Sequence, residues 1–368
     1  MSSSGLYFYI LGSLDGVALV RKFVTNIFAE GDLVKLMGNV LTVNNLKTYY
    51  HTERRIIPAV DGVSLSLGDG ELLGIVGESG CGKSTVARSI AGLINREYAN
   101  IEAGEVLFEG QDLVKTNAKD MHCIRGKEIS MIFQDPFVSL NPVYTVESQM
   151  REILENHTAL SRMEIRERII EMLHLVDIPD PEKRMKYYPY QLSGGMQQRV
   201  MIAIALSCNP KILLADEPTT ALDCTVQAQI LDLILKLKEE FNMSVLLISH
   251  DLGVVAQMCD RMLIMYGGVV VEQGRTLDIF ASPHHPYTHG LLASVPNIKE
   301  DQEELKFIKG HVPVFSHPVT RCRFSDRCNH AFEKCRVGEP PLFNLDGGGL
   351  VRCWLFERES STKMRDAK

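Results

Sequence analysis

The sequence predicts an open α/β sheet, and three observations carry that prediction. Short apolar runs at residues 71–76 (ELLGIV), 211–215 (KILLA) and 244–249 (SVLLIS) read as buried strands. Each run stops at residues able to do chemistry: GESGCGKST at 77–85, Asp216-Glu217, and His250-Asp251. Open α/β sheets place their sites beyond the carboxyl ends of the strands, so these stops are the candidate site.

The first stop has the spacing G-x-x-x-x-G-K-[ST] of a phosphate-binding loop. Gly77, Gly80 and Gly82 permit backbone angles that side chains forbid, letting consecutive N–H groups converge on phosphate oxygens at a helix start. Glu78, Ser79 and Cys81 fill the loop, and Thr85 opens an apolar-faced run that reads as the following helix. Lys83 is expected against the β- and γ-phosphates of ATP, with the Ser84 hydroxyl on Mg2+. At the second stop, Asp216 is the natural partner for magnesium and Glu217 the candidate base for the attacking water. His250, ending the third strand, could contact a γ-phosphate, with a structural histidine as the alternative when it is taken alone.

A further segment, LSGGMQQR at 192–199, heads a strongly helical stretch. There Ser193, Gly194 and Gly195 form a second anion-binding helix start. One nucleotide cannot easily use both, so the chain reads as half of a two-site machine in which this segment meets a triphosphate held by another subunit. Between residues 137 and 191 the composition turns helical and charged, with apolar residues at helical spacing in 146–157 and 162–176.

Composition narrows the function classes. At 368 residues and 45% apolar content, the chain can bury a full core and carry an appendage. Forty-six acids against 39 bases give a net charge of −7, which supports no nucleic-acid partner. No apolar run reaches the ~18 residues of a membrane helix, so any membrane is expected to be reached through partners. Residues 1–36 are apolar but lack a basic start and a persuasive cleavage site. They are expected to be an extension or a mis-assigned start ahead of Met37, with an amphipathic surface helix as the alternative.

Four cysteines, Cys322, Cys328, Cys335 and Cys353, fall in the pattern C-x5-C-x6-C-x17-C. An ATP-using chain belongs to a reduced compartment, which disfavours disulfides and points to a metal centre. Zinc sites use close C-x2-4-C knuckles, absent here, so an iron–sulfur cluster is the leading expectation, with zinc and free thiols as alternatives. Cys123, Cys208, Cys224 and Cys259 read as ordinary core or surface residues, while Cys81, inside the phosphate loop, is expected to be the more readily alkylated. Three histidines in six residues of the stretch 284–296, HHPYTHGLLASVP, have metal-ligand spacing, but the stretch resembles a segment that joins a core to a C-terminal domain, which implies a structural connector with a metal site as the minor alternative.

Taken together, these motifs resemble the ATP-binding subunits of ABC transporters, within the branch serving oligopeptide and dipeptide importers. The likeness spans roughly residues 41–356. It aligns residues 77–84 with Walker A, Gln134 in MIFQDP with the Q-loop, residues 193–196 with the signature and Asp216-Glu217 with Walker B. Ala221-Leu222-Asp223 aligns with the D-loop and His250 with the switch histidine, while Tyr50 falls where the family stacks an aromatic on adenine, with Tyr49 as its neighbour. Met196 stands where many ABC ATPases carry Gln. The resemblance implies a P-loop NTPase with a RecA-like core, an antiparallel β subdomain and an inserted helical subdomain at about 137–200. It divides the chain into an ATPase domain at 37–296 and a small Cys-rich lobe at 297–368. It also implies that Gln134 joins Ser84 and Asp216 on magnesium, and that the four-cysteine lobe holds a four-iron four-sulfur cluster. The expected assembly is a heterodimer with a second, homologous ATP-binding subunit, two transmembrane permeases and, indirectly, an extracellular peptide-binding protein. Its expected place is the cytoplasmic face of the membrane, as a peripheral protein. Oligosaccharide or nickel cargo is the alternative within the same machine, and a soluble non-transport ABC ATPase the alternative outside it.

Overall fold

The computed structural model describes residues 38–53, 55–220, 222–294, 308–313, 315–345 and 347–357. The expectations for residues 1–36, for Met37 and for Ala221 lie outside the described residues.

Two long strands, β1 (Asn39–His51) and β2 (Ile56–Gly68), open the fold, and β3 (Leu72–Val76) runs through the phosphate loop into α1 (Lys83–Ile90). Strands β4 (Ala99–Phe108) and β5 (Gln111–Asp112) return beside β1, giving an antiparallel sheet of order β2-β1-β4-β5. After α2 (Ala118–Ile124) and β6 (Ile129–Ile132) comes the helical region: α3 (Pro136–Ser139), α4 (Val146–His157), α5 (Arg162–Leu175), α6 (Pro181–Arg184) and α7 (Gly194–Leu206). The chain then alternates through β7 (Ile212–Asp216), α8 (Cys224–Phe241), β8 (Ser244–Ser249), α9 (Leu252–Met258), β9 (Arg261–Tyr266) and β10 (Val269–Arg275). It finishes with α10 (Thr276–Ala281), α11 (Pro286–Ala293), α12 (Glu333–Val337), β11 (Phe343–Asn344) and β12 (Leu350–Val351).

The second sheet has the order β11-β12-β10-β9-β3-β8-β7-β6, parallel from β9 to β6 and antiparallel beyond. Every residue of β3, β7 and β8 is buried, which is why these strands appear in sequence as unbroken apolar runs. Successive side chains leave a strand on opposite faces. Accordingly Leu72, Leu213 and Leu247 pack with the helical region's Met150, Ile169 and Met172. Their neighbours Leu73, Leu214 and Leu246 pack with Leu41, Val43 and Val63 of the antiparallel sheet.

Helix starts follow the local sequence. α5 opens with a capping box in which Ser161 and Glu164 satisfy each other's backbone N–H groups. α11 opens at His285, whose Nδ1 accepts from Tyr287 N at 3.0 Å. The fully buried Glu272 carboxylate accepts from the N–H groups of His284 at 2.8 Å and His285 at 2.9 Å. Burial pushes the His285 pKa down to about 3, so this ring is held neutral. The Cys-rich tail is built onto the central sheet: β12 pairs with β10, Val351 opposite Glu272. Arg352 Nε donates to Val270 O at 3.0 Å, and Trp354 Nε1 to Gly338 O at 3.0 Å. Among the described residues no helix is long and apolar enough to cross a membrane.

Candidate functional site

The loop after β3 is held where only glycine fits. A Cβ on Gly77 would sit 2.3 Å from Met265 O, and one on Gly82, whose φ is +107°, would sit 2.1 Å from Ala59 O. The loop is thereby threaded between β2 and β9. Lys83 is 4% exposed, and its ammonium donates to Gly77 O at 2.7 Å and Glu78 O at 3.2 Å while standing 4.0 Å from Glu217 Oε1. Ser79 and Gly80 are exposed at the rim, and Thr85 is half-buried in the first turn of α1.

Cys81 departs from expectation. Its side chain is 1% exposed within the core beneath the loop, and burial pushes its thiol up. A buried, protonated thiol reacts slowly with alkylating agents, so Cys81 is not the reactive cysteine that its motif position suggested.

The Ser84 hydroxyl donates to Asp216 Oδ1 at 2.8 Å. Asp216 is 1% exposed, and its Oδ2 is buried without a hydrogen-bond partner. Burial pushes this carboxyl up, opposed by the Ser84 bond. A buried carboxylate oxygen lacking a donor beside a serine hydroxyl is a fitting ligand for a hard divalent cation, so Mg2+ suits these two residues. Gln134 reaches the same strand ends but touches Glu217.

Glu217 is the point of convergence. Its Oε2 accepts from Gln134 Nε2 at 3.1 Å and from the Thr220 hydroxyl at 2.9 Å, and lies 3.2 Å from His250 Nδ1. Its backbone is left-handed, with φ 47°, a conformation that costs a non-glycine residue roughly 1–3 kcal/mol. Two supporting residues were missed in the sequence. Thr220 holds the Glu217 carboxylate, and Gln198 donates to Pro218 O at 2.6 Å, tying α7 to the turn that carries Glu217. The QQR that follows LSGGM was the available signal.

Neighbouring tyrosines on β1 separate by role. Tyr49 Oη donates to Asp61 Oδ1 at 2.7 Å, and burial together with that bond pushes its pKa up. Tyr50 points to the other face of the strand and makes no side-chain hydrogen bond among the described residues. It remains the available ring.

The 193–195 segment is built as a helix start. Ser193 caps α7, its Oγ accepting from Met196 N, and a Cβ on Gly195 would meet Val226 Cγ1 at 2.9 Å. Asp223 caps α8 by accepting from Thr225 N and Val226 N. Among the described residues no hydrogen bond or ion pair joins Ser193, Gly194, Gly195 or Asp223 to the loop at 77–85. In the segment following Gln134, Phe137, Val138, Val143 and Tyr144 are exposed apolar side chains, Val138 at 82% and Phe137 at 59%.

In the tail, burial pushes Cys322 up to about 12 and Cys353 to about 11, and the charges of the other three cysteines act on Cys322 in the same direction. The nearby backbone amides of Phe324, His330 and Leu355 oppose the rise at Cys322, Cys328 and Cys353 respectively. The four thiols thus share one neighbourhood, yet among the described residues no three His, Cys, Asp or Glu side chains come close enough to hold a metal ion.

Comparison with known proteins gives a consistent picture. Residues 60–220 match the ABC transporter family, and residues 271–335 match the oligopeptide/dipeptide transporter C-terminal region. The oligopeptide transport ATP-binding protein AppD of Bacillus subtilis is 49% identical over 325 residues, 88% of this chain and 99% of that protein. The dipeptide transport ATP-binding protein DppD of Escherichia coli is 45% identical over 85% of this chain and 96% of that one. Among solved structures, an ATP-binding cassette dimer in a post-hydrolysis state with ADP and Pi has a TM-score of 0.58 at 32% identity, covering 64% of this chain and 98% of that chain.

Proposed function

The chain belongs to the ABC transporter ATP-binding family, in the branch of oligopeptide and dipeptide transport ATP-binding proteins, and from that premise we propose that it drives peptide uptake across a membrane. It is an ABC-type ATPase. The observation that carries the catalytic reading is the convergence of Gln134, Thr220 and His250 on one oxygen of Glu217. Lys83 and the loop amides hold the phosphates, with Ser84, Asp216 and Gln134 on the magnesium side. Magnesium bound by those residues would neutralise charge developing on the phosphates. Glu217 accepts the proton of the attacking water, and His250 sits at the γ-phosphate edge. Tyr50 stacks on adenine.

Ser193, Gly194, Gly195 and Asp223 make no bond to their own phosphate loop, which supports a two-site dimer with a second, homologous ATP-binding subunit. The exposed apolar side chains in the segment following Gln134 support docking of the two permeases there, and with it a peripheral position at the cytoplasmic face. A peptide-binding protein outside completes the assembly. In the tail, the neighbourhood shared by the four thiols supports a 4Fe-4S cluster on Cys322, Cys328, Cys335 and Cys353.

Anaerobic affinity purification from native membranes tests the assembly. Recovery with two permeases and a second ATPase is expected; recovery with ribosomes or repair proteins and no permease would overturn it.

A further inference from the structure

Arg327 belongs to the Cys-rich tail, yet its guanidinium lies against the phosphate loop with its side chain 6% exposed. Its Nη1 donates to Glu78 Oε2 at 2.7 Å and its Nη2 to Oε1 at 3.0 Å, a two-pronged pair. The remaining donors go to the carbonyls of Ile308 at 3.2 Å, Lys309 at 2.9 Å and Gly310 at 3.1 Å, so the fork is fixed from behind. Its charge also faces the Tyr266 ring, 5.7 Å from the centroid, and that ring packs edge-on with Tyr287 and Phe324.

Glu78 passes this fixation on. Its N–H donates to Tyr287 Oη at 3.0 Å, so neither its carboxylate nor its amide is directed at a phosphate. Its carbonyl accepts from Lys83 Nζ at 3.2 Å and from Cys81 N at 3.2 Å. Guanidinium, carboxylate, loop carbonyl and ammonium therefore form one continuous chain from the tail to the phosphate-binding lysine.

We propose that Arg327 is a positioning residue for ATP binding, acting through Glu78 to hold the phosphate loop and Lys83 in their binding geometry. The tail thus sets nucleotide affinity, a role that rests on the ATPase reading above. Preorganised loops bind more tightly because less order is lost on binding, so the effect falls on affinity more than on the chemical step.

Titrating the full-length chain with a fluorescent ATP analogue and Mg2+, and measuring phosphate release at saturating ATP, tests this. Arg327→Gln is expected to weaken binding roughly tenfold while kcat stays within about twofold, a size typical of coupling between linked sites. Glu78→Gln should do the same, the double variant should be no worse than either single, and Arg327→Lys should recover part of the loss. If Arg327→Gln fails to fold, Glu78→Gln reads the same link from the loop side, leaving the guanidinium on its backbone carbonyls. A lowered melting temperature with unchanged ATP affinity, or additive losses in the double variant, would overturn the inference alone. Wild-type protein that binds no MgATP would overturn the ATPase reading, and this inference with it.

Discussion

The nucleotide site and the cysteine lobe are assembled in opposite ways. Ser84 and Asp216 stand 132 positions apart and share a 2.8 Å hydrogen bond, whereas Cys322, Cys328, Cys335 and Cys353 lie close in sequence, yet among the described residues no three His, Cys, Asp or Glu side chains form a metal-holding group. Parallel strands explain the first case, since β3, β7 and β8 bring their carboxyl ends side by side. Among the described residues the lobe has two-residue strands and a five-residue helix to fix its loops. Closeness in sequence is therefore a weaker guide to a site than shared register in a buried sheet.

The largest effect that could break this comparison is at Glu217. Glu217→Gln should keep MgATP binding and lose turnover by roughly 10²–10⁴-fold, whereas Lys83→Ala should lose both, as nucleotide titration and phosphate release would read. Near-normal turnover in Glu217→Gln would mean that the convergence on its carboxylate is not the catalytic one.

On the lobe side, anaerobically purified protein should be brown and carry iron with matching sulfide, and Cys353→Ser should lose both. Colourless, iron-free wild-type protein would leave the four cysteines as free thiols and remove the cluster from the account.

Acid unfolding tests the connector between the two regions. His285 in the folded state titrates at about 3, below its ordinary 6.5, so the unfolded chain takes up a proton that the folded chain resists. This contribution is nil above pH 6.5 and destabilises as the pH falls from 6.5 towards 3, by about 1.4 kcal/mol per unit. His285→Asn, which keeps a helix-capping acceptor, should flatten that part of the stability curve.

A smaller effect separates the paired tyrosines. Tyr50→Ala should weaken ATP binding by about 1–3 kcal/mol through lost stacking. Tyr49→Phe should cost about 1 kcal/mol of stability through the lost Asp61 bond and leave ATP affinity unchanged.

The sheet and the phosphate loop were legible because strands buried on both faces leave unbroken apolar runs and because glycine spacing encodes backbone geometry. Tyr49 and Tyr50 could not be told apart in sequence, since only the pairing partner at Asp61 distinguishes the two faces of β1. Cys81 was misjudged for a related reason: membership of an open loop says nothing of which way a side chain turns. The Arg327–Glu78 pair spans 249 positions, and single charges carry no periodic signal that would match them. β12 was equally hidden, because a two-residue strand is shorter than any readable pattern.

The central claim is that this ATP site powers peptide movement, and peptide-stimulated ATP hydrolysis by the co-purified assembly in vesicles tests it most directly. The account predicts that hydrolysis rises, and that peptide accumulates, when peptide and binding protein are added, with both lost in Glu217→Gln. Hydrolysis indifferent to every peptide tried, with no peptide accumulating, would contradict it.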